Sequence, residues 1–360
     1  MQDALFPDPE PTPGKAPPEQ APRALSRRRG LGVQPAPIEA DHVALASALP
    51  ALLRLGTSSW TYPGWAGKVW EGNYSETMLS RQGLTAYSQH PLLRAVSIDR
   101  GFYRALTASQ YALYAAQVPD AFRFVVKAPS AVADAMVRNE QGRSVQPNPL
   151  FLDPRLALDE FVQPALDGLG HKIGALVFQL SPLPPDLLRQ MPRVLDRLHH
   201  MLRALPALKP LAPDGVIAVE VRDPAFLTPE FAAMLHDVGA RYCLCLHPKM
   251  PPISEQLPVL RRLWPGPFVC RWNLNMRHGP FGYEEARTDY APFDRMQDPD
   301  PATRSVLVKV IKATTDAGHP AYVTISNKAE GCAPLSVVAL AQALCTSNED
   351  LGHVHHRTGL

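Results

Sequence analysis

From residue 53 onward, short β-branched runs alternate with longer stretches of helical period. The runs cover 53–58, 94–99, 123–127, 175–180, 217–224, 241–247, 268–273 and 321–326. Each is rich in Val, Ile, Leu or Phe and bounded by Gly, Pro, Asp or Ser, as buried strands are. Between and after them, periodic apolar positions predict helices over 75–89, 108–117, 153–166, 186–205, 228–238, 254–263, 301–317 and 335–344. Asp153 and Asp186 are the expected caps of two of these helices, and Thr228-Pro229-Glu230 starts another. Pro192 should break the helix it falls in. Strict alternation implies parallel strands joined by crossover helices, and eight such units is the count that closes a (β/α)8 barrel. The predicted fold is therefore α/β, a single TIM-type barrel. An open doubly wound sheet is the rival, but no Gly-rich phosphate loop follows any run.

The polar positions inside these runs carry the chemistry. The run 217–224 reads Ile-Ala-Val-Glu-Val-Arg-Asp-Pro and puts Glu220 and Arg222 in an otherwise apolar strand. Residues two apart on a strand share a face. Ile217, Val219 and Val221 therefore face one way, and Ala218, Glu220 and Arg222 the other. Charges on a buried strand are costly unless they are paired or face a wet mouth. With the apolar face of each run turned to the helices, the last lumen-facing residues become Asp99 (with Ser97 behind it), Lys127, Gln179, Glu220 and Arg222, His247 and Arg271. The eighth run ends in Asn327, with Glu330 close after it. Barrel lumens normally fill with branched apolar side chains, and sites lie at the carboxyl ends of the strands. A ring of polar ends there reads as a ligand site. A structural ion-pair network is the alternative.

The types in the ring suggest roles. Arg222 and Arg271 suit a bidentate grip on a carboxylate or phosphate. Glu220 is the candidate acid/base, its ionisation raised by burial and lowered by neighbouring cations. Lys127 is either an anion contact or, if desolvated, an amine able to form a Schiff base. Trp60, Tyr62 and Tyr103 sit in aromatic loops and either stack on a ligand or cap the barrel. Asp99, Glu220, His247 and Glu330 offer oxygen and nitrogen donors for zinc or manganese. No metal-binding spacing links them and three cations compete, so no metal and no cofactor is expected.

Composition sets the boundaries. The 360 residues include 39 prolines, nine of them in residues 1–40. That stretch carries few aliphatics to offset its ordering entropy, which predicts a disordered Pro-rich tail over 1–45, the barrel over 46–348 and a short tail over 349–360. Net charge is +2, so nothing demands a nucleic-acid partner. No apolar run has the length of a membrane span, and no targeting pattern opens the chain, so the expected location is the cytoplasm. Five unclustered cysteines fit reduced thiols. Gln2-Asp3-Ala4-Leu5-Phe6 resembles the Gln-x-x-Leu-Phe peptides with which bacterial proteins dock on the replication sliding clamp, which makes Gln2, Leu5 and Phe6 a candidate docking motif.

Six ordered motifs carry a further resemblance. They are Gly56-Thr57-Ser58-Ser59-Trp60-Thr61-Tyr62-Pro63, Phe102-Tyr103-Arg104, Phe124-Val125-Val126-Lys127-Ala128-Pro129, Val177-Phe178-Gln179-Leu180, Val219-Glu220-Val221-Arg222, and Asn327-Lys328-Ala329-Glu330-Gly331-Cys332-Ala333-Pro334. Together they resemble the YecE-like family, domain of unknown function 72, over about residues 53–345. The resemblance implies a TIM-type barrel and no settled activity, substrate or cofactor. Three places depart from the family pattern. Ser97 and Asp99 stand where it has a Glu-x-Asn pair, and Arg271-Trp272-Asn273 where it has Arg-x-His-Gly, with His278-Gly279 further on. Ser326 replaces the first Asn of the closing motif. The expected function is an enzyme acting on a small anionic, carboxylate- or phosphate-bearing metabolite at the barrel mouth. The alternatives are a non-catalytic binder of a phosphorylated ligand or nucleic acid, and a metal-dependent hydrolase.

Overall fold

The computed structural model describes the backbone of residues 32–139 and 143–355, with side chains as far as 346. Gln2, Leu5 and Phe6 lie outside the described residues, as does most of the expected tail. In chain order the strands are β1 (Leu53–Thr57), β2 (Ala95–Ile98), β3 (Arg123–Lys127), β4 (Met136–Arg138), β5 (Ser144–Pro147), β6 (Ile173–Gln179), β7 (Val216–Glu220), β8 (Arg241–Leu246), β9 (Phe268–Trp272) and β10 (Ala321–Ile325). Eight of them close a parallel barrel in the order β1-β2-β3-β6-β7-β8-β9-β10, with β10 returning to β1. The strands β4 and β5 form a separate antiparallel ribbon in the connection between β3 and β6.

Side-chain alternation divides the barrel as the strand pattern predicts. Val125, Ala175, Val177, Ala218, Cys243, Val269 and Tyr322 fill the lower lumen as one apolar cluster. Leu55, Val96, Phe124, Val126, Leu176, Phe178, Val219 and Val323 belong to the larger core between strands and helices. The Tyr322 hydroxyl donates to Asp214 O at 2.8 Å, and Arg123 pairs with Asp214 at 2.6 Å. These contacts close the amino end of the barrel, and a second set of polar strand residues lies at the carboxyl end.

Local signals hold at most helix starts. Asp153 accepts from Leu156 N at 2.7 Å and Thr228 from Phe231 N at 3.2 Å. The stretch 186–205 splits into Pro185–Leu188 and Met191–Arg203, with Pro192 in the first turn of the second helix. Pro184, not Asp186, occupies the cap position there. Two expectations about the ends shift. The helix Ala40–Ala48 and the segment before it pack on the barrel, with Val33 and Ala36 buried and Ala36 N donating to Val69 O at 2.9 Å. A few apolar anchors suffice once a preformed surface receives them, so residues 32–45, expected in the tail, are ordered against the barrel. The last helix, Ala333–His355, continues past the expected barrel end at 348. Among the described residues, no helix is long and apolar enough to cross a membrane.

Candidate functional site at the barrel mouth

The alternation of β7 aims Glu220 into the lumen, fully buried, in register with Gln179 on β6. On β9, Val269 fills the lumen below and Arg271 rises above it, in register with Cys245 and Thr324. Arg271 Nη1 reaches Glu220 Oε2 at 2.7 Å, while its Nη2 crosses the lumen to Asp99 Oδ2. Arg222 Nη2 holds Glu220 Oε1 at 2.7 Å and donates to Gln179 Oε1 at 3.3 Å. Asn273 Nδ2 donates to the same Glu220 oxygen at 3.1 Å. Both carboxylate oxygens of Glu220 are thus engaged.

The electrostatics follow from these contacts. Burial pushes the Glu220 carboxyl up, but Arg271 and Arg222 outweigh it and hold it down at about 2. Glu220 is ionised at any physiological pH, so it is poorly suited to exchange protons near neutrality. The expectation of an acid/base role gives way to that of an anchoring carboxylate. Lys127 moves the other way. Burial, with Arg271 and Arg222 nearby and against the pull of Asp99, brings its ammonium down to about 8. Its Nζ lies 3.5 Å from the centre of the Phe102 ring. Among the described residues, no hydrogen bond or ion pair holds it. His247 is driven down to about 2 by burial and by Arg222, so its ring is neutral. Its Nδ1 accepts from Lys249 N at 2.9 Å, and its ring packs on Tyr283.

Among the described residues, Arg222 Nε and Nη1 and Asp99 Oδ1 are buried without a hydrogen-bond partner. Such atoms are rare and costly in a finished core, and at a mouth they mark places where a ligand's atoms fit.

Of the residues expected at the site, the structure brings together Lys127, Asp99, Gln179, Glu220, Arg222, His247 and Arg271. Others have different work. Glu330 is fully buried, pairs with Arg304 and accepts from Asp300 N at 2.6 Å. Asn327 Oδ1 accepts from Trp65 Nε1 at 3.1 Å and from Ala333 N at 2.8 Å. Both leave the ring because the chain turns into the helix Asn327–Glu330 directly after β10 and aims them at neighbouring loops. Tyr62 packs on Trp65 and Phe293, and Trp60 on Tyr114, so this aromatic loop serves as core packing. Tyr103 is exposed, edge-on to Phe102.

Three residues join the mouth without having been expected. Asn273 follows Arg271 by two positions, and the parity that paired Arg222 with Glu220 would have found it. Tyr283 sits on the unforeseen helix Tyr283–Tyr290 and faces the Arg222 guanidinium, a placement no local signal announces. Lys328, from the closing motif, lies 5.6 Å from the Tyr283 ring centre. The donors once weighed for a metal (Asp99, Glu220, His247 and Glu330) do not converge, since the first two are tied to arginines and Glu330 lies elsewhere.

The profile of a family described as "Protein of unknown function DUF72" matches residues 54–358. The chain belongs to the DUF72 family. The YecE-like resemblance of its motifs agrees with this membership. No curated protein matches the chain. Among solved structures, a DUF72 family protein from Enterococcus faecalis is similar at 16% identity and a TM-score of 0.51, covering 81% of this chain and 95% of that one. A DUF72 family protein from Thermotoga maritima aligns at 15% identity and a TM-score of 0.47, covering 83% of this chain and 99% of that one. The first likeness supports the barrel fold of this DUF72 protein and carries nothing about its chemistry.

Proposed function

We propose that the barrel mouth binds a small anionic metabolite, with Lys127 and Arg222 making the charged contacts and Glu220 holding the arginines in place. One observation carries this reading. Among the described residues, Lys127 has no ion pair and Arg222 keeps two buried N–H-bearing atoms without a hydrogen-bond partner. The cations at the mouth (Lys127, Arg222, Arg271 and, further out, Lys328) outnumber its two carboxylates (Asp99, Glu220), and a bound carboxylate or phosphate would offset the positive excess. Unpaired guanidinium atoms beside an ammonium are what an anion requires. A structural network would have closed on itself.

A second reading concerns catalysis. With its ammonium brought down to about 8, Lys127 carries roughly a tenth of its population as free amine at neutral pH. That fraction suits a Schiff base with the carbonyl of an anionic substrate, with loss of water. The expected cytoplasmic setting is supported by five free thiols.

Thermal melting against sulfate, phosphate and small di- and tricarboxylates tests the binding. At least one anion should raise the wild-type melting temperature at millimolar concentration, and Lys127→Met should abolish the rise. No shift with any anion, or an equal shift in Lys127→Met, would overturn the proposal. Borohydride treatment with a panel of keto acids tests the amine. A mass increase confined to the Lys127 peptide is expected if it reacts.

A further inference from the structure

We infer that His278, Glu285 and Asp289 form a binding site for one divalent ion of the zinc or manganese class, beside the mouth and built from different residues. One ligand atom from each of the three lies within 4.8 Å of the others. Two donors at zinc-ligand distance from one tetrahedral ion lie roughly 3.4 Å apart. His278 Nδ1 and Glu285 Oε2 stand 3.7 Å apart, too far for a hydrogen bond and close to that spacing. Glu285 and Asp289 are four residues apart on the helix Tyr283–Tyr290 and share a face. His278 comes from the short turn Met276–His278 just before it.

The histidine is the independent observation. Its side chain is 0% exposed, yet among the described residues neither Nδ1 nor Nε2 has a hydrogen-bond partner. A buried imidazole normally satisfies at least one nitrogen, and an ion would satisfy one here. The nearby arginines pair with other carboxylates. Arg277 is held by Asp298 at 2.5 Å and Arg287 by Glu284 at 2.6 Å. Glu285 and Asp289 are exposed, which gives an ion its entry path and leaves their side chains free to adjust.

A nitrogen with two carboxylates is a borderline-to-hard donor set, suited to zinc or manganese. Three protein ligands leave coordination positions for water. The ion would tie the turn to the helix that carries Tyr283, and Tyr283 faces Arg222 at the mouth. A tight approach already joins the two elements, because a Cβ on Gly282 would meet His278 O at 2.1 Å.

The test uses the full-length chain, stripped with a chelator and dialysed against zinc or, separately, manganese, with bound metal measured by elemental analysis. The expected result is one equivalent of at least one ion per chain. Glu285→Gln and Asp289→Asn, both at exposed positions, should bind about tenfold more weakly or worse, and His278→Gln should bind none. Lys127→Met should bind as wild type does, so a failure of the mouth proposal leaves this one standing. If neither ion binds stoichiometrically, or if Glu285→Gln and Asp289→Asn bind like wild type, the metal is an adventitious ion only and the site falls.

Discussion

Glu220 occupies a lumen position where a barrel strand usually places a branched apolar residue, and three donors fix its two oxygens. The sequence revealed that it faces the lumen, because parity is a property of the strand. It could not reveal the ionisation, because that depends on Arg271, a residue 51 positions away. A folded carboxyl at about 2, against an ordinary value of 4.5, contributes stability that is full above the unfolded value and lost as pH falls through 2. The difference corresponds to about 3 kcal/mol. Urea unfolding of wild type between pH 5 and 2 should show this loss, and Glu220→Gln should show a shallower one. At pH 7, Glu220→Gln should cost about 3–5 kcal/mol, since it leaves the buried Arg222 guanidinium without its carboxylate and Arg271 with Asp99 alone. A cost near zero would mean the arginines do not depend on Glu220. Lys127 has the opposite sign. Its folded value of about 8 lies below the ordinary 10.5, so between those values the unfolded chain holds a proton that the folded chain gives up. Stability should therefore rise by about 2 kcal/mol from pH 8 to 10 relative to Lys127→Met, measured by paired urea titrations. Parallel curves for the two proteins would show that Lys127 titrates normally.

At the scale of elements, strands were legible and connections were not. All eight barrel strands lie where the β-branched runs predict, because a parallel barrel strand is short, apolar and bounded by breakers. The helix Tyr283–Tyr290 falls outside every predicted helix, since its Glu-Glu-Ala-Arg-Thr-Asp sequence is polar on most faces and its stability comes from tertiary packing of Ala286 and Tyr290. The closing motif misled for a related reason. Its residues are adjacent in sequence to a strand end, but the turn into Asn327–Glu330 sends Glu330 to Arg304 and Lys328 toward Tyr283. Close helix contacts are also invisible locally. The helices Ala108–Ala115 and Gln163–Leu169 meet at Gly168, where an added Cβ would fall 2.3 Å from Ala108 O and 2.5 Å from Tyr111 Cβ. Backbone cannot yield as a side-chain tip can, so the helices must separate. Gly168→Ala should destabilise by about 3 kcal/mol, the upper part of the overpacking range. A chemical denaturation midpoint within error of wild type would show that the pair slides at no cost.

The whole molecule is a barrel whose outer layer starts before its first strand. The segment from residue 32 lies across the turn that carries Trp70. Gln34 N donates to Tyr74 Oη at 3.0 Å, Glu71 N to Gln34 O at 3.0 Å, and Pro35 bridges to Trp70. Arg94 Nη2, just before β2, donates to Ala46 O at 2.7 Å. Composition could not reveal this, because proline content describes the free segment and not the surface that receives it. Val33 and Leu49 are buried, and burying a side chain of this size is worth about 1.5–3 kcal/mol. Ordering the segment offsets part of that gain. A chain beginning at residue 50 should therefore lose about 3 kcal/mol net. At roughly 2–4 °C per kcal/mol for a large domain, its melting temperature should fall by about 10 °C in calorimetry. The barrel closure itself does not involve these residues, so the shortened chain should still melt in one transition and keep any anion-induced shift at the mouth. An unchanged melting temperature would show that the segment rests on the barrel without stabilising it. Loss of the anion response would mean that the N-terminal segment and the mouth are coupled through the Trp65–Trp70 stack and the Asn327 contact it supports.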